Sequence, residues 1–176
     1  MPPISRFVVL LAIPAALAGC ASFGKTQPPS TCPSVALLGD ATDITRYKGT
    51  GKDITDLLLD GRITGVPAQC RYGDRGTVTA DVAVRATVSR GPASNLKQAS
   101  LAAVVTVMDG ETILDQQDVP LVANFPSNVD TVTASSEAVR LHVPNTPEKS
   151  AANYKIYVGF RLTPQELALN RARGPR

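Results

Sequence analysis

Tryptophan is absent from this chain of 176 residues, and aromatic residues make up only 5% of it. A core cannot then be organised around large rings and must be filled by Val, Leu, Ile and Ala, a branched composition that suits sheets. A single histidine, His142, with no Ser or Cys in a recognisable motif leaves too little for a nucleophile–base–orienter relay, no Gly-x-Ser-x-Gly elbow occurs, and Cys32 and Cys70 with no His nearby in the sequence fall short of a four-ligand zinc set. Charge of either sign is scarce as well. The formal balance is +3, falling by one if Arg6 is removed with a leader, which excludes a nucleic-acid surface and hence DNA or RNA as partners. Hydrophobic residues at 43% against 19% charged exclude a disordered chain, and the length fits one domain with a real core.

What the sequence does have is alternation. From Thr77 to Ser89, Val78, Ala80, Val82, Val84, Ala86 and Val88 occupy every second position, with Thr79, Asp81, Arg85 and Thr87 among the residues between them. A period of two puts these six on one side of an extended strand. Tyr154, Ile156, Val158, Phe160 and Leu162 repeat the pattern, as do Val139, Leu141 and Val143 around Arg140 and His142. Leu101 to Met108 is apolar almost throughout, the signature of a central strand covered on both faces. Asp109-Gly110 turns this strand into an antiparallel return over Thr112–Gln116, and Pro120 assigns the following segment, Asp118 to Phe125, to an edge. Val35–Leu38 reads as a further edge strand. Arg62–Tyr72 reads as a bent strand interrupted at Pro67, and Gly73–Gly76 as the turn that pairs it with Thr77–Ser89. Residues 39–61 fit a helical turn or a strand equally.

One helix is expected. Thr163 is a good N-cap, Pro164 fits the first helical position, Glu166 completes a capping box, and Leu162 with Leu167 forms a staple; Arg171 and Arg173 suit the last turn before Gly174-Pro175. The pattern predicts a mainly β fold over residues 32–176: an antiparallel two-sheet sandwich, immunoglobulin-like or fibronectin-like, with a short C-terminal helix at 164–173. An open barrel is the alternative arrangement.

The N-terminus reads as a processed leader spanning residues 1–19. Arg6 is the basic region, Phe7–Ala16 an apolar stretch too short to be an ordinary transmembrane helix, and Ala18-Gly19 the small residues before a cut. Leu17-Ala18-Gly19-Cys20 resembles the lipobox of bacterial lipoprotein precursors. That resemblance covers only the leader and Cys20. It implies that the Cys20 thiol receives a diacylglycerol, that cleavage falls just before it, and that the freed amine is acylated, anchoring the protein to a membrane through lipid. Ala21, a non-acidic residue after the cysteine, resembles the sorting pattern for the periplasmic leaflet of the outer membrane. Residues 20–31, with Pro28 and Pro29, read as a tether. In an oxidising compartment the remaining pair, Cys32 and Cys70, reads as a disulfide, which the loop-entropy treatment values at roughly 3 to 4 kcal/mol.

Other groups carry less. Gly49-Thr50-Gly51-Lys52 has the outline of a phosphate loop, but Asp53 stands where Ser or Thr is needed and Arg46 where the first Gly is needed, so it reads as an ordinary loop. Asp40, Asp43, Asp53, Asp56 and Asp60 lack calcium-loop spacing. Arg85, Arg140, Lys155 and Arg161 fall on the polar faces of three predicted strands; they form a basic contact face if those strands are neighbours, and a solvated sheet surface otherwise. With no catalytic residue, metal site or cofactor motif in view, the expectation is a non-catalytic envelope domain that binds a protein or supports an envelope complex. A small-molecule or lipid carrier is the alternative, and would need an apolar cavity between the sheets.

Overall fold

The computed structural model describes residues 32–73 and 76–174. The leader, Cys20 and the whole of the tether, Asp74, Arg75, Pro175 and Arg176 lie outside the described residues. The chain is mainly β, with eleven strands and one short α-helix among the described residues. Four strands form the first layer: β1 (Ser34–Leu37), β11 (Lys155–Phe160), β7 (Gln98–Asp109) and β8 (Thr112–Asn124), in that spatial order. The second layer divides into a four-stranded sheet, β2 (Asp43–Tyr47), β3 (Leu57–Gly65), β6 (Arg85–Arg90) and β9 (Thr131–Ser135), and a three-stranded sheet, β10 (Val139–Pro144), β5 (Thr77–Val82) and β4 (Ala68–Gly73). The helix α1 spans Pro164–Arg173.

Three hydrogen-bonded sheets replace the expected two, because three long segments bend at one level. The chain breaks at Val66-Pro67 between β3 and β4, at Ala83-Val84 between β5 and β6, and at Ser136–Ala138 between β9 and β10. Pro67 has no N–H for a ladder, so its strand must break there. The three breaks are stitched to one another: Ala83 N donates to Pro67 O at 2.9 Å, Ser136 N to Val84 O at 2.9 Å, and Val84 N to Ser136 Oγ at 2.9 Å. The result is one bent layer whose halves keep the same strand neighbours. Thr77–Ser89 is therefore two strands and not one, yet its apolar side runs unbroken through the bend, with Val78, Ala80, Val82, Val84, Ala86 and Val88 all buried.

These six meet the inner faces of β7, β8 and β11, among them Leu101, Val105, Val107, Leu121, Ile156, Val158 and Phe160, in one hydrophobic cluster. The layers come close at Gly61 of β3. A Cβ there would lie 3.0 Å from Ile44 Cγ2, 3.7 Å from Phe160 Cζ and 3.8 Å from Leu101 Cδ1, so the missing side chain lets the layers approach. At one side of the sandwich, β8 runs beside β9 and β10, and Gln117 Nε2 donates to Arg140 O at 3.0 Å.

Most local expectations are met. β7 is central, β8 is an edge strand carrying Pro120, and β4 pairs antiparallel with β5. β8 is continuous where two segments are expected. In the β7–β8 turn Asp109 pairs with Thr112, so the two loop residues are Gly110 and Glu111, one position later than expected, with the positive φ of 58° on Gly110. The strand pairing is antiparallel except at β1, which runs parallel to β11 and so departs from the antiparallel expectation. Residues 39–61, ambiguous in sequence, hold a 3₁₀ turn at Gly39–Ala41, strand β2, a second such turn at Ile54–Asp56, and the start of β3.

The Cys32–Cys70 disulfide is present, with Cα atoms 6.0 Å apart. It ties the segment leading into β1 of the first layer to β4 of the second, so the chain enters the domain at the side where these two strands lie.

Candidate functional site

The outer surfaces of the two layers differ in chemistry. On the second layer, positions facing away from the core are hydroxyl-bearing or charged: Thr64, Thr87, Thr133 and Ser135 on one half, Arg71, Asp81 and Arg140 on the other. On the first layer they include an apolar patch among polar positions. Register aligns Tyr157 with Thr106 and Ala36, and Met108 with Ile113, while Val104 lies across from Gly159. Val104, Met108 and Tyr157 are half-buried, and Ile113 and Val122 are 56% and 43% exposed.

Part of this outer surface is covered by the chain itself. The Gly39–Ala41 turn lies against β11 at Gly159, where a Cβ would sit 2.8 Å from Ala41 Cβ and 3.3 Å from Leu38 Cβ. The start of α1 adds Leu162 and Leu167. Between this cover and Ile113 on β8 remains a groove of about 380 Å³, floored by Val104, Thr106, Met108 and Tyr157. Arg161 and Asp118 form an ion pair at its side, Arg161 Nε donating to Asp118 Oδ1 at 2.7 Å. The sequence of β7 calls for cover on both faces. The fold supplies it fully on one face and partly on the other.

A second cleft, of about 700 Å³, lies on the other side of α1, bounded by β2, the loop through Gly49–Lys52, and Leu58. The helix that forms its wall has no fully buried residue and is held mainly by polar contacts. Arg46 Nε donates to Glu166 Oε1 at 2.9 Å, Asn170 Nδ2 donates to Asp40 O and Asp43 O at 2.8 and 2.7 Å, and Arg171 Nε donates to Asp40 Oδ2 at 2.9 Å. Arg173 bonds Thr45 Oγ1 at 3.0 Å and lies over the Tyr47 ring. At the helix start the capping box is complete: Glu166 N donates to Thr163 Oγ1 at 3.2 Å, and Thr163 N donates to Glu166 Oε2 at 2.7 Å. Burial opposes ionisation of Glu166, but the Thr163 N–H and the Arg46 guanidinium outweigh it and hold the carboxyl below its ordinary value.

The four cations singled out in sequence are not brought together. Arg85 lies on β6 and Arg140 on β10, in different sheets of the second layer, while Lys155 and Arg161 belong to the first layer. Arg140 Nε donates to Asp81 Oδ1 at 3.0 Å, and Arg71 pairs with the other oxygen of that carboxylate. Arg140 and Arg161 are therefore each engaged in a local ion pair, Arg140 sharing its carboxylate with Arg71. His142 is exposed on β10 beside Thr79. Among the described residues no group of three or more His, Cys, Asp or Glu is placed to hold a metal ion, and no helix is long and apolar enough to cross a membrane. Sequence reasoning did not find the α1–β2 cleft. Its defining pair, Arg46 and Glu166, lies 120 residues apart, and no local signal joins them.

No protein-family model matches the chain, and no curated protein does. Among solved structures the chain is similar to the variable (V) domain of the AgI/II polypeptide BspA of Streptococcus agalactiae, at 18% identity over 67% of this chain and 72% of that one, with a TM-score of 0.23. A likeness of that size carries no argument about function.

Proposed function

We propose that this chain is a lipid-anchored protein of the bacterial envelope, tethered through Cys20 to the periplasmic leaflet of the outer membrane. In this reading it has no catalytic role, and it uses the outer face of the β1–β11–β7–β8 sheet to receive a partner protein. The carrying observation is β7: from Leu101 to Met108 it is apolar almost throughout, one face is buried in the core, and the other is left partly open around Val104 and Met108. An exposed apolar groove in a folded domain marks a surface that gains free energy from being covered. The occupant we commit to is a short apolar segment of a partner with an acidic residue at one end. Lys155 stands exposed at the Met108 end of the face without a described ion pair, and would meet that acid. Anchoring rests on the Leu17-Ala18-Gly19-Cys20 resemblance and the export leader. The space between the layers is filled by Val, Ala, Leu and Ile side chains, and the two clefts described lie outside it, which favours surface recognition over an interior carrier.

The test uses a photo-reactive residue placed at Ile113 in living cells, with a second placed at Thr133 on the opposite polar face. A discrete adduct with one other protein from position 113, absent from position 133 and lost on Met108→Asp, is the expected result. Equal adducts from both faces, or an adduct only with a second copy of this chain, would overturn the partner assignment. Cys20→Ser should move the protein from the membrane to the soluble fraction; unchanged sedimentation would remove the anchor.

A further inference from the structure

The cleft behind α1 is chemically distinct from the sheet groove, and the helix stands between them, Leu167 facing the groove and Leu169 facing the cleft. Its walls are apolar, from Leu58, Ala168, Leu169, Ala172 and the Tyr47 ring. Its charges do not cancel. The lining carries two cations, Arg46 and Lys52, and one anion, Glu166. Both oxygens of Glu166 are already engaged, one by Arg46 Nε and one by Thr163 N. Arg46 spends only its Nε in this pair, so its two terminal nitrogens retain donor capacity, and Lys52 is exposed on the Gly49–Lys52 loop with no described ion pair. A guanidinium and an ammonium with donors to spare, set beside an apolar wall, suit a ligand with an anionic head and an apolar body. The volume, about 700 Å³, is in the range that holds a small molecule.

We infer that this cleft binds a small amphiphilic anion, an acyl chain ending in a carboxylate, with the head between Lys52 and the terminal nitrogens of Arg46 and the chain along Leu58, Leu169 and Ala172. This site stands independently of the partner face and of the anchor. It is also separate from an interior carrier cavity, since its walls are a surface helix and the edge strand β2.

The test titrates the full chain carrying Cys20→Ser with octanoate, octanol and acetate, following backbone amide shifts by NMR. Octanoate is expected to saturate one site with shifts at Leu58, Lys52 and Ala172, while octanol and acetate bind at least about tenfold more weakly. Lys52→Gln should weaken octanoate about fivefold at an unchanged thermal midpoint. Arg46→Gln should also weaken it, but that variant loosens the helix as well, so Lys52 decides. Octanol binding as tightly as octanoate, Lys52→Gln leaving the affinity unchanged, or shifts confined to Val104 and Met108 would each overturn the assignment. The first two of these outcomes leave cross-linking from position 113 untouched, whereas the third would place octanoate in the groove that Ile113 lines.

Discussion

Arg46 Nε lies 2.9 Å from Glu166 Oε1, joining strand β2 to the first turn of α1. The same carboxylate closes the capping box, so one side chain both starts the helix and fixes it to the sheet. Because the folded protein holds this carboxyl below its ordinary value, its contribution to stability is intact above the unfolded value of about 4.5 and is lost as pH falls through the lower folded one. Glu166→Gln should therefore flatten the fall in thermal midpoint between about pH 5 and pH 3. Arg46→Ala, which removes a partly exposed pair, should cost roughly 0.5 to 1 kcal/mol at neutral pH, a shift of about 1 to 4 °C. A wild-type acid limb that survives Glu166→Gln unchanged would mean that other carboxylates govern it.

Thr163→Ala tests the cap by itself. Loss of an N-cap hydroxyl costs about 1 kcal/mol, and α1 has no fully buried residue to compensate for it. The loss should appear locally. Amide hydrogen exchange over residues 164–173 should quicken about fivefold while the amides of β7 keep their protection. Equal acceleration in both would show that α1 opens only with the whole domain.

How much of this was legible in the sequence depends on whether the signal was local. The helix was fully legible, cap to stop, because Thr163, Pro164, Glu166 and Gly174 act within a few residues of one another. The buried side of Thr77–Ser89 was legible because a period of two survives any bend. The bend was not, since Ala83 and Val84 continue the alternation and the break is shared with Pro67 and Ser136 on neighbouring strands. Strand β2 was hidden because Asp43, Ile44 and Thr45 are all buried in succession, with α1 covering a side that polar residues would ordinarily leave to solvent. The apolar groove was half legible: the doubly apolar run of β7 announced a need for cover, and nothing in one chain's sequence names what provides it.

Reduction offers a third measurement. The disulfide closes residues 38 apart and joins the segment leading into β1 of one layer to β4 of the other. The loop-entropy treatment gives roughly 3 to 4 kcal/mol for such a closure. The paired variant Cys32→Ser with Cys70→Ser should lower the urea midpoint by that much free energy and migrate identically with and without reductant, whereas the native chain should migrate faster unreduced. An unchanged urea midpoint would mean that the pairing of the layers alone holds the N-terminal segment.

The spacing between the layers can be probed at one atom. Gly61 sits where β3 faces Ile44, Phe160 and Leu101, and an added Cβ would already lie 3.0 Å from Ile44 Cγ2. Gly61→Val adds two further methyl groups to a packed interior, and overpacking of this kind costs roughly 1 to 3 kcal/mol. Gly39→Ala is the control, because nothing lies within 4 Å of a Cβ built there. The expected outcome is a urea midpoint lowered for Gly61→Val at an unchanged slope, with Gly39→Ala within about 0.5 kcal/mol of the native chain. Should Gly61→Val prove neutral, the core must yield at Ile44 without disturbing Phe160, and the close approach of the two layers at this strand would not be what the glycine serves.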